Sequence, residues 1–313
     1  MIPVARLYDP FENLLSMYEP AERYAYETGE PIADLIQGDW EVFSERLIER
    51  GRDGALLESI MHSGWDDDSG EPLLSASDHY VAHFRAGIDD IWDEFAEKVK
   101  ANPELPLEFH GEDFDAFLLE EELPGRRAVQ EPAGKVFYRA RLGAVRGPYR
   151  VHPYSGKEIG APPPEKAGPG RVSPRGRAVL YCADQEQTAV AEVRPARGEY
   201  VSVAPVRARA DLRILDLATE PEVPNPFTDQ APSYEVEFSA LLRAFAEQLG
   251  RPLRYREDDP ADYIPSQKLA ALIEKTRIDG IRYPSAMAPA GTNVVIFDPS
   301  LIDIGKSRLV EIV

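Results

Sequence analysis

The segment Gly168–Arg194 constrains the fold more than any other part of the chain, because a loop, a strand and a helix follow one another in it without a break. The loop is rich in Gly, Pro and Arg, and the apolar run Ala178–Tyr181 has the composition of a short strand. Asp184, with Gln187 three residues later, forms the pattern of a capping box. We therefore predict a helix that carries Thr188–Val193.

The arginines of this loop suggest phosphate chemistry. Arg171, Arg175 and Arg177 lie among glycines and prolines that restrict the backbone, so planar guanidinium groups are presented from a defined loop. A solvated surface loop is an equally good interpretation of the same residues. Glu192 lies on the predicted helix, within reach of whatever the loop holds.

Charge is divided unevenly along the chain. Residues 1–130 hold 31 Asp and Glu against 10 Lys and Arg, a net charge of −21, whereas the remaining residues hold 24 acids and 25 bases. This step predicts two domains, 1–125 and 126–313, joined near the linker-like stretch LPGRRAVQEPAGK. The acidic half would repel nucleic acid, so we expect no nucleic-acid partner and place any phosphate-bearing ligand in the second domain.

Composition also bears on location. No apolar run approaches the ~18 residues of a membrane span, and the first residues lack the pattern of a secretory signal. Cys182 is the single cysteine, so an internal disulfide is excluded and we expect a small buried residue there. These features predict a cytoplasmic protein without a membrane partner.

Helical periodicity dominates the first half. Apolar residues recur at three and four positions in Ala33–Arg50, in Ser77–Val99 and in the shorter Glu112–Leu123, and strand alternation is absent. We predict a small acidic helical bundle. Its consecutive acids, Asp66 to Asp68, lack the spacing of a calcium loop, and the histidines at 62, 79 and 83 lack a zinc motif, so no metal site is predicted.

The second half alternates short strands with helices. In the predicted strand VFYRAR, Phe137, Arg139 and Arg141 share one face and Tyr138 lies on the other. The loop Gly143–Gly176 is long for a compact domain, and we expect part of it to be a substrate lid. Further strands and helices are predicted at 199–206, 212–217, 234–249, 265–275, 279–283 and 293–297. The expected class is α+β, with a twisted mixed sheet and flanking helices.

Separated motifs in the second half resemble the RES-domain family over about residues 130–313. They are FYRAR at 137–141, GRVSPRGRAVLY at 170–181 with Glu192 eleven positions later, DGIRYPSA at 279–286 and GTNVVIFDP at 291–299. Ser173 stands where the family often has Asn, and Val172 stands where it often has a larger apolar residue. These two differences affect the shape of the loop. The resemblance implies the split sheet of ADP-ribosyl-transferring toxins and an enzyme that destroys NAD by hydrolysis or phosphorolysis. The N-terminal half resembles the HEPN-like module of larger family members, with a regulatory or oligomerising role.

The resemblance also implies the site residues. Arg139, Glu192 and Ser285 are the expected catalytic residues; Arg171, Tyr181, Tyr138 and Asn293 are expected to bind substrate. A carboxylate beside the ribose would stabilise the positive charge that grows as the nicotinamide bond breaks, and this role falls to Glu192. Arg139 and Arg171 would bind the pyrophosphate, or one of them an incoming inorganic phosphate, while Tyr181 would offer a flat face to a ring. No metal or cofactor is expected, with NAD as substrate and inorganic phosphate as a co-substrate.

Two other functions stay open from the sequence. An ADP-ribosyltransferase would share NAD binding but pass the ribosyl group to a macromolecule, and a non-catalytic interaction module would use the helical half to assemble partners. A toxin would be restrained by an antitoxin protein or, within one chain, by the acidic N-terminal half. An oligomerising role of the helical half would make the protein a homo-oligomer.

Overall fold

The structure, a computed structural model, has the α+β architecture that the sequence predicts. It describes residues 3–21, 29–63, 78–82, 91–103, 108–109, 112–113, 127–219, 225–227, 232–251 and 260–313. The chain forms two compact units, one made of Met1–Ile91 with Glu222–Leu241 and the other of Trp92–Pro221 with Leu242–Val313. The domain boundary at residues 125 and 126 stays a prediction.

The first unit combines helices with a small sheet that the periodicity did not predict. Its helices are α1 (Tyr8–Leu15), α2 (Ile32–Trp40), α3 (Glu45–Ile48) and α4 (Asp53–Ser63), and its strands are β1 (Tyr18–Pro20), β2 (Glu30–Pro31) and β3 (His79–Ala82). The strands pair in the antiparallel order β1-β3-β2. Leu14, Ile32, Ile36, Leu57 and Ile60 form a core from which water is excluded.

Two helix predictions in this region are corrected. The helix predicted over Ala33–Arg50 breaks after Trp40, because Glu41 adopts a left-handed conformation with φ of 49°. The helix predicted from Ser77 is wrong at residues 79–82, which form β3, and right at α5 (Ile91–Ala101). Of the predicted helix Glu112–Leu123, residues 112–113 form a strand and the rest lies outside the described residues.

The second unit is built on a nine-stranded mixed sheet. Its strands are β6 (Ala128–Glu131), β7 (Val136–Leu142), β10 (Leu180–Ala183), β11 (Tyr200–Ala208), β12 (Leu212–Asp216), β13 (Gly280–Pro284), β14 (Thr292–Ile296), β15 (Ile302–Ile304) and β16 (Arg308–Glu311). They lie in the order β15-β11-β7-β10-β14-β13-β12-β6, with β16 also paired to β11. β12 and β13 are parallel, and the other pairs are antiparallel. The elements predicted after Tyr181 agree with these bounds to within about two residues.

This sheet is nearly split in two. β7 pairs with β11 along its whole length, from Val136 to Leu142, but meets β10 only through the pair Tyr138 and Ala183. β10 then pairs with β14 over all four of its residues. The predicted split sheet is therefore present, with its opening between β7 and β10.

The helices of the second unit are α5, α6 (Glu186–Glu192), α8 (Ile264–Lys275) and the part of α7 (Pro232–Gly250) that begins at Leu242. α6 packs on β7, β10, β11 and β14, so it spans both halves of the split sheet. α7 and α8 lie between the parallel strands β12 and β13 in sequence, as a crossover connection requires. In the part of the chain that the structure describes, no helix is both long and apolar enough to cross a bilayer.

The segment Gly143–Gly176 contains two paired short strands, β8 (Val145–Arg146) and β9 (Val151–His152), and two turns of 3-10 helix. The remaining short strands, β4 (Glu108–Phe109) and β5 (Glu112–Asp113), pair with each other. The role of residues 143–176 as a lid stays a prediction.

Candidate functional site

The site is organised by the end of helix α6. The helix stops at Glu192 because Arg194 adopts a left-handed conformation, with φ of 48°, and Pro195 follows it. The carboxylate of Glu192 thus lies at a helix C-terminus, where the helix dipole disfavours negative charge. Its position must therefore be stabilised by other groups.

Two side chains from neighbouring strands supply that stabilisation. Ser285 Oγ donates to Glu192 Oε1 at 2.5 Å, and Asn293 Nδ2 donates to the same oxygen at 2.8 Å. Asn293 is only 5% exposed, so its amide is held rigidly within β14. No described residue donates a hydrogen bond to the second carboxylate oxygen, Oε2. The carboxylate is thus fixed through one oxygen and available through the other.

Ser285 is itself held by the loop that follows β13. Its Oγ accepts hydrogen bonds from the backbone N–H groups of Met287 and Ala288, each at 3.1 Å, while its own N–H donates to Gly291 O at 2.9 Å. A Cβ at Gly291 would lie 2.5 Å from Thr188 Oγ1 on helix α6. Glycine at this position therefore lets the loop approach the helix closely enough for Ser285 to reach Glu192.

Tyrosines lie on the same face of the sheet as Asn293. Tyr138, Ala183, Asn293 and Tyr283 occupy one row across β7, β10, β14 and β13, and directly paired residues point to the same face. Tyr181 lies two residues before Ala183 and shares that face. Tyr138 packs against the apolar cluster that includes Ala183 and Ala189.

The phenols of Tyr181 and Tyr283 stay protonated at neutral pH. Burial raises the pKa of Tyr181 to about 12, although a hydrogen bond from the backbone of Val172 and the charge of Arg171 act in the opposite direction. Burial also raises the pKa of Tyr283 well above its ordinary value, and electrostatic interaction with Tyr181 and Glu192 adds to the increase. Sequence reasoning did not single out Tyr283, although it lies inside the motif DGIRYPSA. Its place beside Asn293 depends on strand register, which the motif alone does not reveal.

Arg139 lies on the opposite face of β7 and bridges the split in the sheet. Its Nε donates to Ile159 O at 2.8 Å and its Nη1 to Tyr181 O at 2.5 Å. Burial lowers the pKa of Arg139, with Cys182 opposing the decrease. The guanidinium thus joins the carbonyl of Tyr181 on β10 to that of Ile159 in the long loop, and its contact with substrate stays a prediction.

The other predicted phosphate ligands also have protein partners. Arg171 donates to the carbonyls of Gln248 and Leu249 at the end of α7, a favourable place for a cation. Arg177 forms an ion pair with Glu274, and Arg175 is exposed. Pyrophosphate binding by Arg171 therefore stays a prediction.

Asp184 does not cap helix α6 as predicted. The N-cap position is Gln185, which makes no side-chain cap, and Asp184 Oδ2 instead accepts hydrogen bonds from Arg282 Nε at 2.7 Å and from Thr292 Oγ1 at 2.6 Å. Arg282 also bonds Glu131 and lies 3.6 Å from Asp216. Arg282 and these three carboxylates form the Arg282 cluster.

A cavity of about 610 Å³ opens beside Ser285. Its lining includes Arg127, Arg243 and Arg251, none of which was predicted as a site residue, because they stand outside the motifs. In the described ranges, no three His, Cys, Asp or Glu side chains group as a metal site. Asp66 to Asp68 and His83 lie outside those ranges.

Comparisons with known proteins agree with these motifs. The RES domain family matches residues 137–311, which is more than half of the chain. No curated protein matches the chain. Among solved structures, the M. tuberculosis MbcT-MbcA toxin-antitoxin complex contains a chain that is 16% identical, with a TM-score of 0.34, and the match covers 61% of this chain and 91% of that one. On the family match, this chain belongs to the RES domain family.

Proposed function

We propose that this protein consumes NAD by cleaving the bond between nicotinamide and ribose. The observation that carries the proposal is the carboxylate of Glu192, which two donors hold through Oε1 while Oε2 accepts no hydrogen bond from the described residues. A carboxylate that is fixed on one side and available on the other suits a sugar hydroxyl or a developing positive charge. Membership of the RES domain family supports the same reaction.

The reaction places positive charge on the ribose. As the C–N bond breaks, its electron pair leaves with nicotinamide and the sugar becomes oxocarbenium-like. A carboxylate preorganised beside the sugar interacts more strongly with this state than with neutral ribose, so it lowers the barrier. Water then adds to the sugar to give ADP-ribose and a proton, or inorganic phosphate adds to give ADP-ribose phosphate.

The neighbouring groups have supporting roles in this scheme. Ser285 and Asn293 position the carboxylate, because each donates to the same oxygen. The protonated phenol of Tyr181 offers a flat apolar face and a hydroxyl donor on the same side of the sheet, whereas Tyr283 is only 6% exposed. We infer that the ring of Tyr181 contacts the nicotinamide or the ribose.

A protein that depletes NAD would act as a toxin in the cytoplasm of its own cell, so it requires restraint. We infer that an antitoxin protein, or the acidic N-terminal part of the same chain, provides it. The net charge of −21 over residues 1–130 favours contact between this part and a basic surface. We also propose that this part is an HEPN-like module with a regulatory or oligomerising role.

Product analysis tests the proposed reaction. The full chain is incubated with NAD, with and without inorganic phosphate, and the products are separated by chromatography and identified by mass. Glu192→Gln keeps an acceptor oxygen for Ser285 and Asn293 but removes the negative charge. We expect nicotinamide release to fall by about 100-fold or more.

The matched control is Glu186→Gln on the same helix, where the carboxylate pairs with Arg308 instead. It should retain the wild-type rate. Equal rates for wild type and Glu192→Gln would refute the role of Glu192. Label that appears on a macromolecule, with little free ADP-ribose, would instead identify an ADP-ribosyltransferase.

A further inference from the structure

The cavity beside Ser285 lies where ligands commonly bind in sheets of this kind. β12 and β13 are the parallel pair, and the residues that follow both strands line the cavity: Leu217, Ala218 and Thr219 after β12, and Ser285 and Ala286 after β13. Crevices at the carboxyl ends of parallel strands are frequent ligand sites. The last turns of α7 close one side, through Ala246 and Gly250.

The charged residues of this cavity are mainly cationic. Arg127, Arg243 and Arg251 line it against a single acid, Glu247. This excess of positive charge stands out in a chain with a net charge of −20. The lining therefore favours an anionic ligand.

Arg127 has a donor without a partner. Its Nη2 donates to Thr219 O at 3.2 Å, but its Nη1 is buried and makes no hydrogen bond within the described part of the chain. Burial lowers the pKa of Arg127, Asp216 opposes the decrease and Arg243 adds to it. A buried charged donor without an acceptor is costly, and a small movement of the cavity lining that brought Nη1 to an anion would remove that cost.

The nearest acid does not fill this role. Asp216 Oδ1 accepts hydrogen bonds from the backbone N–H groups of Ala218 at 2.9 Å and Thr219 at 3.1 Å. Its Oδ2 accepts from Thr219 Oγ1 at 3.1 Å and lies 3.6 Å from Arg282. Asp216 therefore braces the turn after β12 and the Arg282 cluster and leaves Nη1 of Arg127 unpaired.

The cavity arginines have fewer hydrogen-bond partners within the described residues than the arginines predicted to bind phosphate. Arg139 already donates to backbone carbonyls through Nε and Nη1, and Arg171 does so through Nη1. Arg243 and Arg251 are exposed, and within the described ranges no residue accepts a hydrogen bond from either side chain. Guanidinium groups with available donors are well suited to phosphate oxygens.

We propose that this cavity is a phosphoryl-binding site in which Arg127 and Arg243 bind the oxygens, with Arg251 at its rim. The proposal rests on the proposed function for its place in the reaction, because Ser285 both lines the cavity and donates to Glu192 at 2.5 Å. Ser285 would therefore stand between a phosphoryl group in the cavity and the carboxylate assigned to the ribose. It is either the pyrophosphate of NAD or a free inorganic phosphate.

Direct binding tests the site without requiring turnover. Titration calorimetry on the full chain uses inorganic phosphate, pyrophosphate and ADP-ribose as separate probes. Arg127→Gln and Arg243→Gln should each weaken binding of at least one probe by about 10- to 100-fold, as expected for the loss of a hydrogen bond to a charged group. Arg209→Gln is the matched control, because Arg209 is 57% exposed and pairs with Asp303. Since Arg243 is exposed, its variant tests the site even where Arg127→Gln fails to fold.

The probes separate the two sources of phosphate. Loss of pyrophosphate and ADP-ribose binding, with a raised KM for NAD, assigns the site to the dinucleotide. Loss of inorganic phosphate binding and of ADP-ribose phosphate formation, with an unchanged KM for NAD, assigns it to the co-substrate. Binding of all three probes to both variants as to the wild type overturns the proposal.

The outcomes for the site and for the reaction are also separable. Arginine-dependent pyrophosphate binding by a wild-type protein that leaves NAD intact supports the site and refutes the proposed function. Glu192-dependent NAD cleavage that neither arginine substitution alters refutes the site and supports the function.

Discussion

Replacing Arg282 with methionine tests how the centre of the sheet is held together. Arg282 is 8% exposed and donates to Asp184 and Glu131, while Asp216 lies 3.6 Å away. Arg282→Met keeps much of the side-chain volume but removes the guanidinium. Lys135 then remains beside two of the three carboxylates, 3.2 Å from Glu131 and 3.7 Å from Asp184.

The expected loss is large at neutral pH. Removing one partner of a buried ion pair costs about 3–5 kcal/mol, because the remaining charge is left uncompensated. Arg209→Met is the control, since that arginine and Asp303 are 57% and 63% exposed. Exposed pairs of this kind contribute about 0–1 kcal/mol.

The pH dependence gives a second signature. In the wild type, burial favours the protonated form of Asp184, but hydrogen bonds from Arg282 and Thr292 hold its pKa below the ordinary value. A depressed pKa contributes stability above ~4, and this contribution is lost as the pH falls through the folded-state pKa. Without Arg282, burial dominates and the folded-state pKa of Asp184 rises above its unfolded value. Acidification from pH ~7 to ~5 should therefore reduce the difference in stability between variant and wild type.

Urea denaturation followed by circular dichroism at both pH values measures these differences in free energy of unfolding. The reasoning about the Arg282 cluster is refuted where Arg282→Met is no less stable than Arg209→Met at pH ~7, or where its deficit fails to shrink at pH ~5.

Three further predictions follow from particular contacts. Ser285→Ala and Asn293→Ala should each lower the rate of NAD cleavage about 10- to 100-fold. Because both side chains donate to the same oxygen of Glu192, the rate loss of the double variant should be smaller than the product of the two single losses. A double variant whose loss equals that product would contradict this coupling. Burial raises the pKa of the Cys182 thiol to about 12, so it should react with Ellman's reagent only after unfolding, and fast labelling of native protein would disprove its burial. Gly280→Ala would place a Cβ 2.4 Å from Val295 O and should lower the free energy of unfolding by about 1–3 kcal/mol, measured by urea denaturation; an unchanged value would show that β13 and β14 separate easily.

Local patterns predicted most elements of the second unit but missed the strands β6, β15 and β16, and they could not predict which side chains contact one another. Asp184 followed by Gln187 has the spacing of a capping box, yet the carboxylate of Asp184 bonds Arg282, 98 residues away. A helix cap is a local interaction that contributes about 1 kcal/mol. Leaving a buried guanidinium without an acidic partner costs more than losing that cap. Long-range charge pairing of this kind leaves no signal in a local pattern.

The helix predicted from Ser77 shows the same limit. Tyr80 and Val81 fit an apolar spacing of three and four residues, but as part of β3 they pair with β1 and β2. Strand pairing is decided by segments distant in sequence, and β1 and β2 are too short to show alternation. By contrast, Glu192, Ser285 and Asn293 were predicted through family resemblance and are brought together by hydrogen bonds.

The arginines show why predicting a contact is harder than predicting a site. Arg139 and Arg171 lie in the family motifs, but nothing in those motifs indicates that unpaired carbonyls accept their hydrogen bonds. Arg127 precedes β6 in a segment that resembles a linker, so composition gave no reason to select it. Its place at the cavity depends on the pairing of β6 with β12.

Helix α6 has a consequence for how this protein can change over evolution. The same short helix braces both halves of the split sheet and ends in Glu192. A substitution that shifts α6 on β7 would alter the width of the split and the aim of the carboxylate together. A mutation that reshapes this opening for a new substrate therefore also displaces Glu192, and it requires compensating changes near Ser285 and Asn293. The width of the split and the position of the carboxylate thus evolve together.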